Sequence, residues 1–496
     1  MKDDKLLTMK HCVVVILLAV GVLCSAKGRG GAEMHYTVSL DTIGRYINVE
    51  LRCIPEKGRK DVLLKMPVWA PGYYMIQDFP KHLCDFSACD IEGNRLSWRK
   101  VGKNGWNVVM PGRGGAVVRY RVFADERDVA SSRIDGQSAF IAPNGVFMYV
   151  EGEVQHPVTV CYMVPDNWKS VSTGLLPDEG MSCTYTVPNF DVLYDSPLLM
   201  GNHLVRKFSH EGHDYELALE TPDGFEESGF EDSFRRIVSA ATAMMGDVPY
   251  DNYTLIHMGK GNGGLEHLNS QACYTDGSFR FRDRDEWLNY LAFTTHEYFH
   301  LYNVKTIRPA ELGPFDYDRE VFTPLLWFSE GITCYYEAVL LQRAGLCSQD
   351  EMLEIISKYT RMDEPYEGHL HQSLRDYSYD IWLQFLSGDA NSRDVTINYY
   401  FRGPVVGLIM DVEIQRLSGH RRSLDDLMRL LYTRFHKQRG RGFTEDEFWK
   451  AVDEVAGASM SHVRYFVDNA VDIDYERYLA PAGLTMDRST WTIKRR

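Results

Sequence analysis

Basic runs, long hydrophobic runs and paired cysteines are all scarce in this 496-residue chain, and each scarcity narrows what it can do. No stretch of Lys and Arg of useful length precedes the closing Lys494-Arg495-Arg496, and the net charge is −15. Nucleic-acid binding needs a basic face, so the charge balance argues against nucleic-acid and other polyanionic partners. The apolar run Cys12–Leu23 falls short of the ~20 residues of a membrane span. The ten cysteines are scattered without a C-x-x-C pair. Cys84 and Cys89 are close in sequence, as are Cys161 and Cys183, and either pair could bridge in an oxidising compartment. No internal repeat or low-complexity tract suggests a solenoid or a disordered array.

The rest of the composition is that of a globular protein, with 44% hydrophobic and 25% charged residues. Such a chain can bury a core without disulfide or metal staples, and its length predicts two to four domains. The N-terminus has the layout of a cleavable secretory signal: Lys2, Lys5 and Lys10, then the apolar run, then Cys24-Ser25-Ala26 with small residues where a signal peptidase cuts. We therefore expect residues 1–26 to be a signal peptide and the mature protein to be exported, to a periplasm or outside the cell, with no stable membrane insertion.

From Met34 the pattern is one of short strands. Tyr36, Val38 and Leu40 alternate with polar residues, as do Ile47, Val49 and Leu51, and Val62, Leu64 and Met66. Val117–Val122 and Val158–Tyr162 continue the series between turn residues. This spacing predicts an antiparallel β-sandwich-like domain over residues 33–220. Beyond Phe225 helical periodicity takes over, with a strand-like patch at Tyr253–His257, giving an α+β chain whose mostly helical second domain spans 221–486. Thr323-Pro324 predicts a helix start, Gly403 and Gly419 frame another helix, and Ser423/Asp426 and Thr444/Glu447 read as capping boxes.

One cluster carries chemistry. His296-Glu297-Tyr298-Phe299-His300 is an H-E-x-x-H. On a helix, residues four apart share a face, so two imidazoles can hold one Zn2+ while the glutamate between them reaches the attacking water. A catalytic zinc wants a third protein ligand and an open position, and Glu330 in Trp327-Phe328-Ser329-Glu330-Gly331 is the candidate. Taken alone, the pattern also fits a core helix with satisfied histidines.

Four segments together resemble the glycyl aminopeptidase family of zinc metallopeptidases. They are H-E-Y-F-H-L-Y-N-V-K-T-I-R-P at 296–309, G-G-L-E-H at 263–267, M-P-V-W-A-P-G-Y-Y at 66–74 and Y-Y-F-R-G at 399–403. The resemblance implies a thermolysin-like catalytic domain with His296, His300 and Glu330 as zinc ligands and Glu297 as general base. It implies that Glu266, in the segment opened by Gly263 and Gly264, pairs with the free α-amine of a peptide substrate, that Tyr400 hydrogen-bonds the oxyanion, and that glycine is the preferred first residue. Arg402 stands where the family usually has Lys, and the two cations differ in geometry. Only a dozen residues follow Ala482-Gly483-Leu484, after which family members commonly carry a PDZ domain, so that module is expected to be lacking. A zinc endopeptidase and a non-catalytic surface binding protein are the competing readings.

Overall fold

The computed structural model describes residues 32–111, 114–222, 225–275, 279–384 and 392–496. The expected signal peptide lies outside them. Among the described residues no helix is long and apolar enough to cross a membrane.

Residues 32–201 include the β-rich region that the alternation predicts. A six-stranded sheet runs Thr184–Val187, Val158–Tyr162, Glu33–Asp41, Tyr46–Ile54, Ala116–Phe123, Leu83–Asp90, and two four-stranded sheets accompany it. Strand Tyr46–Ile54 buries Ile47, Val49, Leu51 and Cys53 and turns the residues between them outward, so one face meets the core. The large sheet is antiparallel except where Glu33–Asp41 lies parallel to Val158–Tyr162. All eight described cysteines are free thiols, so neither sequence-adjacent pair forms a bridge.

The sheets divide the chain earlier than the 33–220 boundary expected above. Strands Leu204–His210 and His213–Leu219 pair with Asn252–Lys260, Ser270–Thr275 and Gly264–Glu266 in a five-stranded sheet of the second half. Their alternation resembles that of the preceding strands, and which sheet a strand joins is decided by its partners. Within this sheet Gly264–Glu266 is an edge strand, paired only with Ser270–Thr275.

Helix Arg284–Phe299 packs against that edge, and helices Ile332–Arg343, Gln349–Asp363 and Tyr399–Leu417 pack in turn behind it. Both capping boxes are present, at Ser423 and Thr444. The expected start at Thr323-Pro324 falls two residues early: Pro324 and Leu325 form a turn, helical backbone begins at Leu326, and a π-helical turn follows over Trp327–Gly331. Gly403 does not open a helix either. It lies inside Tyr399–Leu417, capped by the Asn398 side chain, because a small residue is needed where two backbones meet.

Candidate metal centre and active-site cleft

Helix Arg284–Phe299 starts on an N-cap, the Asp283 side chain accepting from Glu286 N at 3.0 Å, and still has helical backbone at His300. His296 and His300 therefore share a face, with Nε2 atoms 3.0 Å apart. Glu330 Oε2 lies 3.6 Å from His296 Nε2 and 3.2 Å from His300 Nε2. Vertices of a tetrahedron with bonds of 2.0–2.1 Å stand about 3.3–3.4 Å apart, so these three side chains fit one zinc-sized ion. Burial opposes ionisation of Glu330, and the facing imidazoles of His300 and His296 draw its carboxyl below the ordinary range.

Each imidazole is oriented from behind. His296 Nδ1 lies 3.0 Å from Glu337 Oε2, and Glu337 Oε1 accepts from the Tyr359 hydroxyl at 2.7 Å. His300 Nδ1 lies 2.7 Å from the carbonyl of Asn303. Such contacts fix which ring nitrogen is free for a metal. The Asn303 amide donates to the carbonyls of Phe328 and Ser329 at 2.9 and 3.0 Å and to Thr333 Oγ1 at 3.1 Å. Asn303 thus ties His300 to the π-helical turn that carries Glu330. Sequence reasoning missed Glu337, Asn303 and Tyr359. Glu337 carries one signal: it lies seven residues, two helical turns, after Glu330 on the same helix face.

Glu297 is buried beside this centre. Burial pushes its carboxyl up, to about 7, against the pull of His296 and His300. Gly264 allows the edge strand to lie on it, since a Cβ there would come within 2.2 Å of Glu297 Oε1. Gly263 has φ +87, a backbone that L side chains rarely adopt. Glu266 follows three residues later, 4% exposed, with no hydrogen-bond partner for Oε1 among the described residues. Lys305 Nζ lies 3.8 Å from that oxygen. Carboxylate and imidazole atoms of Glu266, Glu297 and His300 all lie within 4.8 Å of one another.

A cavity of about 450 Å3 opens onto the group, walled by His296, Glu297, Glu330, Glu266, Gly263, Gly264 and Tyr400 among others. The tyrosine pair separates cleanly. Tyr399 is fully buried against Tyr377, with ring centroids 5.2 Å apart, whereas Tyr400 lines the cavity with its ring 6.2 Å from that of His296. Arg402 faces the other way. It is buried, bonded to Asp363 at 3.1 Å, to Glu364 at 3.0 Å and to the Val471 carbonyl at 2.9 Å, and is no part of the cavity wall. All eight site residues named from the sequence thus gather at one cleft.

Known proteins resemble this chain in sequence and in fold. The N-terminal domain of peptidase M61 matches residues 35–202, and the M61 glycyl aminopeptidase domain matches residues 289–406. An aminopeptidase N family protein from Idiomarina loihiensis is similar in structure, with TM-score 0.86 and 26% identity over 91% of this chain and 78% of its own. An M1 zinc metallopeptidase from Deinococcus radiodurans shares the fold at TM-score 0.55 and 14% identity, covering 90% of this chain and 95% of its own. Legionella pneumophila aminopeptidase A, solved with aspartic acid, does so at TM-score 0.54 and 12% identity, covering 89% of this chain and 49% of its own. No curated protein matches the sequence. With both halves matched by one family, with the fold of zinc metallopeptidases and with an H-E-x-x-H helix at the centre of its cleft, this chain belongs to the M61 glycyl aminopeptidase family and is a metallopeptidase.

Proposed function

We propose that the protein is an exported, zinc-dependent aminopeptidase that removes a small first residue, glycine foremost, from peptides. His296, His300 and Glu330 would hold the zinc. When bound, the ion supplies a Lewis acid that acidifies water and polarises the scissile carbonyl. Glu297 accepts the proton of the attacking water and returns it to the leaving amine. The Tyr400 hydroxyl donates to the oxygen on which charge develops. Glu266 accepts hydrogen bonds from the protonated α-amine, and its Oε1, without a hydrogen-bond partner among the described residues, supports that role.

One observation carries the exopeptidase reading. The Glu266 carboxylate lies within 4.8 Å of both Glu297 and His300. Consecutive Cα atoms are 3.8 Å apart, so a substrate has room for one residue between the carboxylate and the reacting carbonyl. An endopeptidase has no use for a buried carboxylate at that point. The glycine preference rests on the family resemblance, and export rests on the N-terminal sequence.

The reading is tested with aminoacyl reporters and their N-acetylated forms, before and after chelation. The wild type should cleave free glycyl substrates, refuse acetylated ones and lose activity on chelation. Glu266→Ala should lose roughly 10- to 150-fold in kcat/KM, the equivalent of a charge-assisted contact worth about 1.5–3 kcal/mol, while keeping its zinc. Acetylated peptides cleaved as fast as free ones would replace this reading with an endopeptidase.

A further inference from the structure

The amine end of the cleft is built from both halves of the molecule. Ala70-Pro71-Gly72-Tyr73 forms a tight turn, with Tyr73 N donating to the Ala70 carbonyl at 3.0 Å and Gly72 at φ +88. Pro followed by Gly at positive φ is the composition of a type II turn. The turn leans on the catalytic half at two points. Trp69 Nε1 donates to the Asp316 carbonyl at 2.7 Å, and Val68 N donates to the Tyr317 carbonyl at 2.9 Å. The Tyr73 hydroxyl donates to Asp128 Oδ2 at 2.8 Å, and the same oxygen accepts from Asn262 Nδ2 at 2.9 Å. Asp128 therefore ties the turn to the segment that leads into Gly263 and Gly264.

Gly72 itself touches Glu266. A Cβ on Gly72 would stand 2.7 and 2.8 Å from the two carboxylate oxygens and 2.7 Å from Leu265 Cδ1. Gly72 and Tyr73 also wall the cavity that holds the metal centre. A first residue whose amine reaches Glu266 must therefore lie against this turn.

We propose that Gly72 is a positioning residue for the substrate's first residue. The turn it permits is the end wall of the cleft, fixes the Glu266 carboxylate for the amine and leaves space for a small first side chain only. The N-terminal β-rich region would then be a working part of the active site. This inference rests on the aminopeptidase reading above.

The test is a substrate panel on Gly72→Ala, Tyr73→Phe, Glu266→Ala and the Gly72→Ala/Glu266→Ala double variant, with zinc content measured on each. Gly72→Ala should keep its zinc and raise KM for glycyl reporters at least tenfold, with a smaller change in kcat, because the methyl group displaces the carboxylate. The penalty should be several-fold smaller when Glu266 is already Ala, since no carboxylate remains to be displaced and only the Leu265 contact and the positive φ of Gly72 are left. A merely structural glycine would cost the same in both backgrounds, and that result overturns the proposal, as does a wild-type KM in Gly72→Ala. Tyr73→Phe loosens the turn without adding bulk, so it should narrow the preference for glycyl over leucyl reporters at least threefold. An unchanged ratio there overturns the end-wall role even if Gly72→Ala does not fold. Failure of the underlying reading looks different, because the wild type would then cleave acetylated peptides.

Discussion

Gly331 and Gly403 meet backbone to backbone: a Cβ on Gly331 would stand 2.6 Å from the Gly403 Cα. One follows Glu330 directly and the other lies three residues after Tyr400, so their contact sets the spacing between the helix carrying the third metal ligand and the helix carrying the cavity tyrosine. Gly403→Ala puts a methyl group into main-chain atoms that cannot rotate aside. We expect a stability loss of about 1–3 kcal/mol or more, read by denaturant unfolding, together with weaker zinc retention because Glu330 is pushed from the histidines. Unchanged stability and metal content would mean that the helices separate without cost.

Metal binding should depend on ligands and on the groups behind them to different degrees. His300→Ala removes one of three ligands, and elemental analysis should find most of the zinc gone. Glu337→Gln leaves all three ligands but weakens the contact to His296 Nδ1, and we expect roughly 10- to 100-fold weaker zinc affinity in a chelator competition. Wild-type affinity in Glu337→Gln would remove Glu337 from the orienting role.

Glu297→Gln separates binding from turnover. The amide is isosteric and cannot take the proton of the attacking water, so the variant should keep its zinc and lose roughly 10²- to 10⁴-fold in kcat. Near wild-type hydrolysis would show that Glu297 is not the base.

Arg402 should matter to stability rather than to catalysis. It is 3% exposed and faces Asp363 and Glu364. Arg402→Ala strands buried carboxylates, which costs about 3–5 kcal/mol. Burial already raises the Asp363 carboxyl, and Arg402 is what opposes that rise. Without the arginine the folded state holds its protons to higher pH than the unfolded chain does. The deficit of the variant should therefore shrink as pH falls and grow as it rises, which unfolding curves at several pH values will measure. A deficit that does not vary with pH would contradict this account.

The sequence by itself determined the chemistry that depends on local spacing. H-E-x-x-H on a periodic helix puts His296 and His300 on one face whatever surrounds them. Alternation between apolar and polar residues carried the β-rich first half, and the capping boxes at Ser423 and Thr444 appear where short-range side-chain chemistry predicts them. Tertiary structure decided everything that depends on which surfaces meet. Strands Leu204–His210 and His213–Leu219 joined the second half because their pairing partners lie there. Tyr400 and not Tyr399 faces the cavity, because the rotation of that helix follows from the Gly331–Gly403 contact and not from an aromatic pair read in isolation. Gly72 and Glu266, 194 positions apart, become neighbours only when a turn of the first half closes on an edge strand of the second. Local interactions can be read along the chain because their geometry repeats every turn or every second residue. Contacts between distant segments carry no such period, and they became visible only once both halves were folded together.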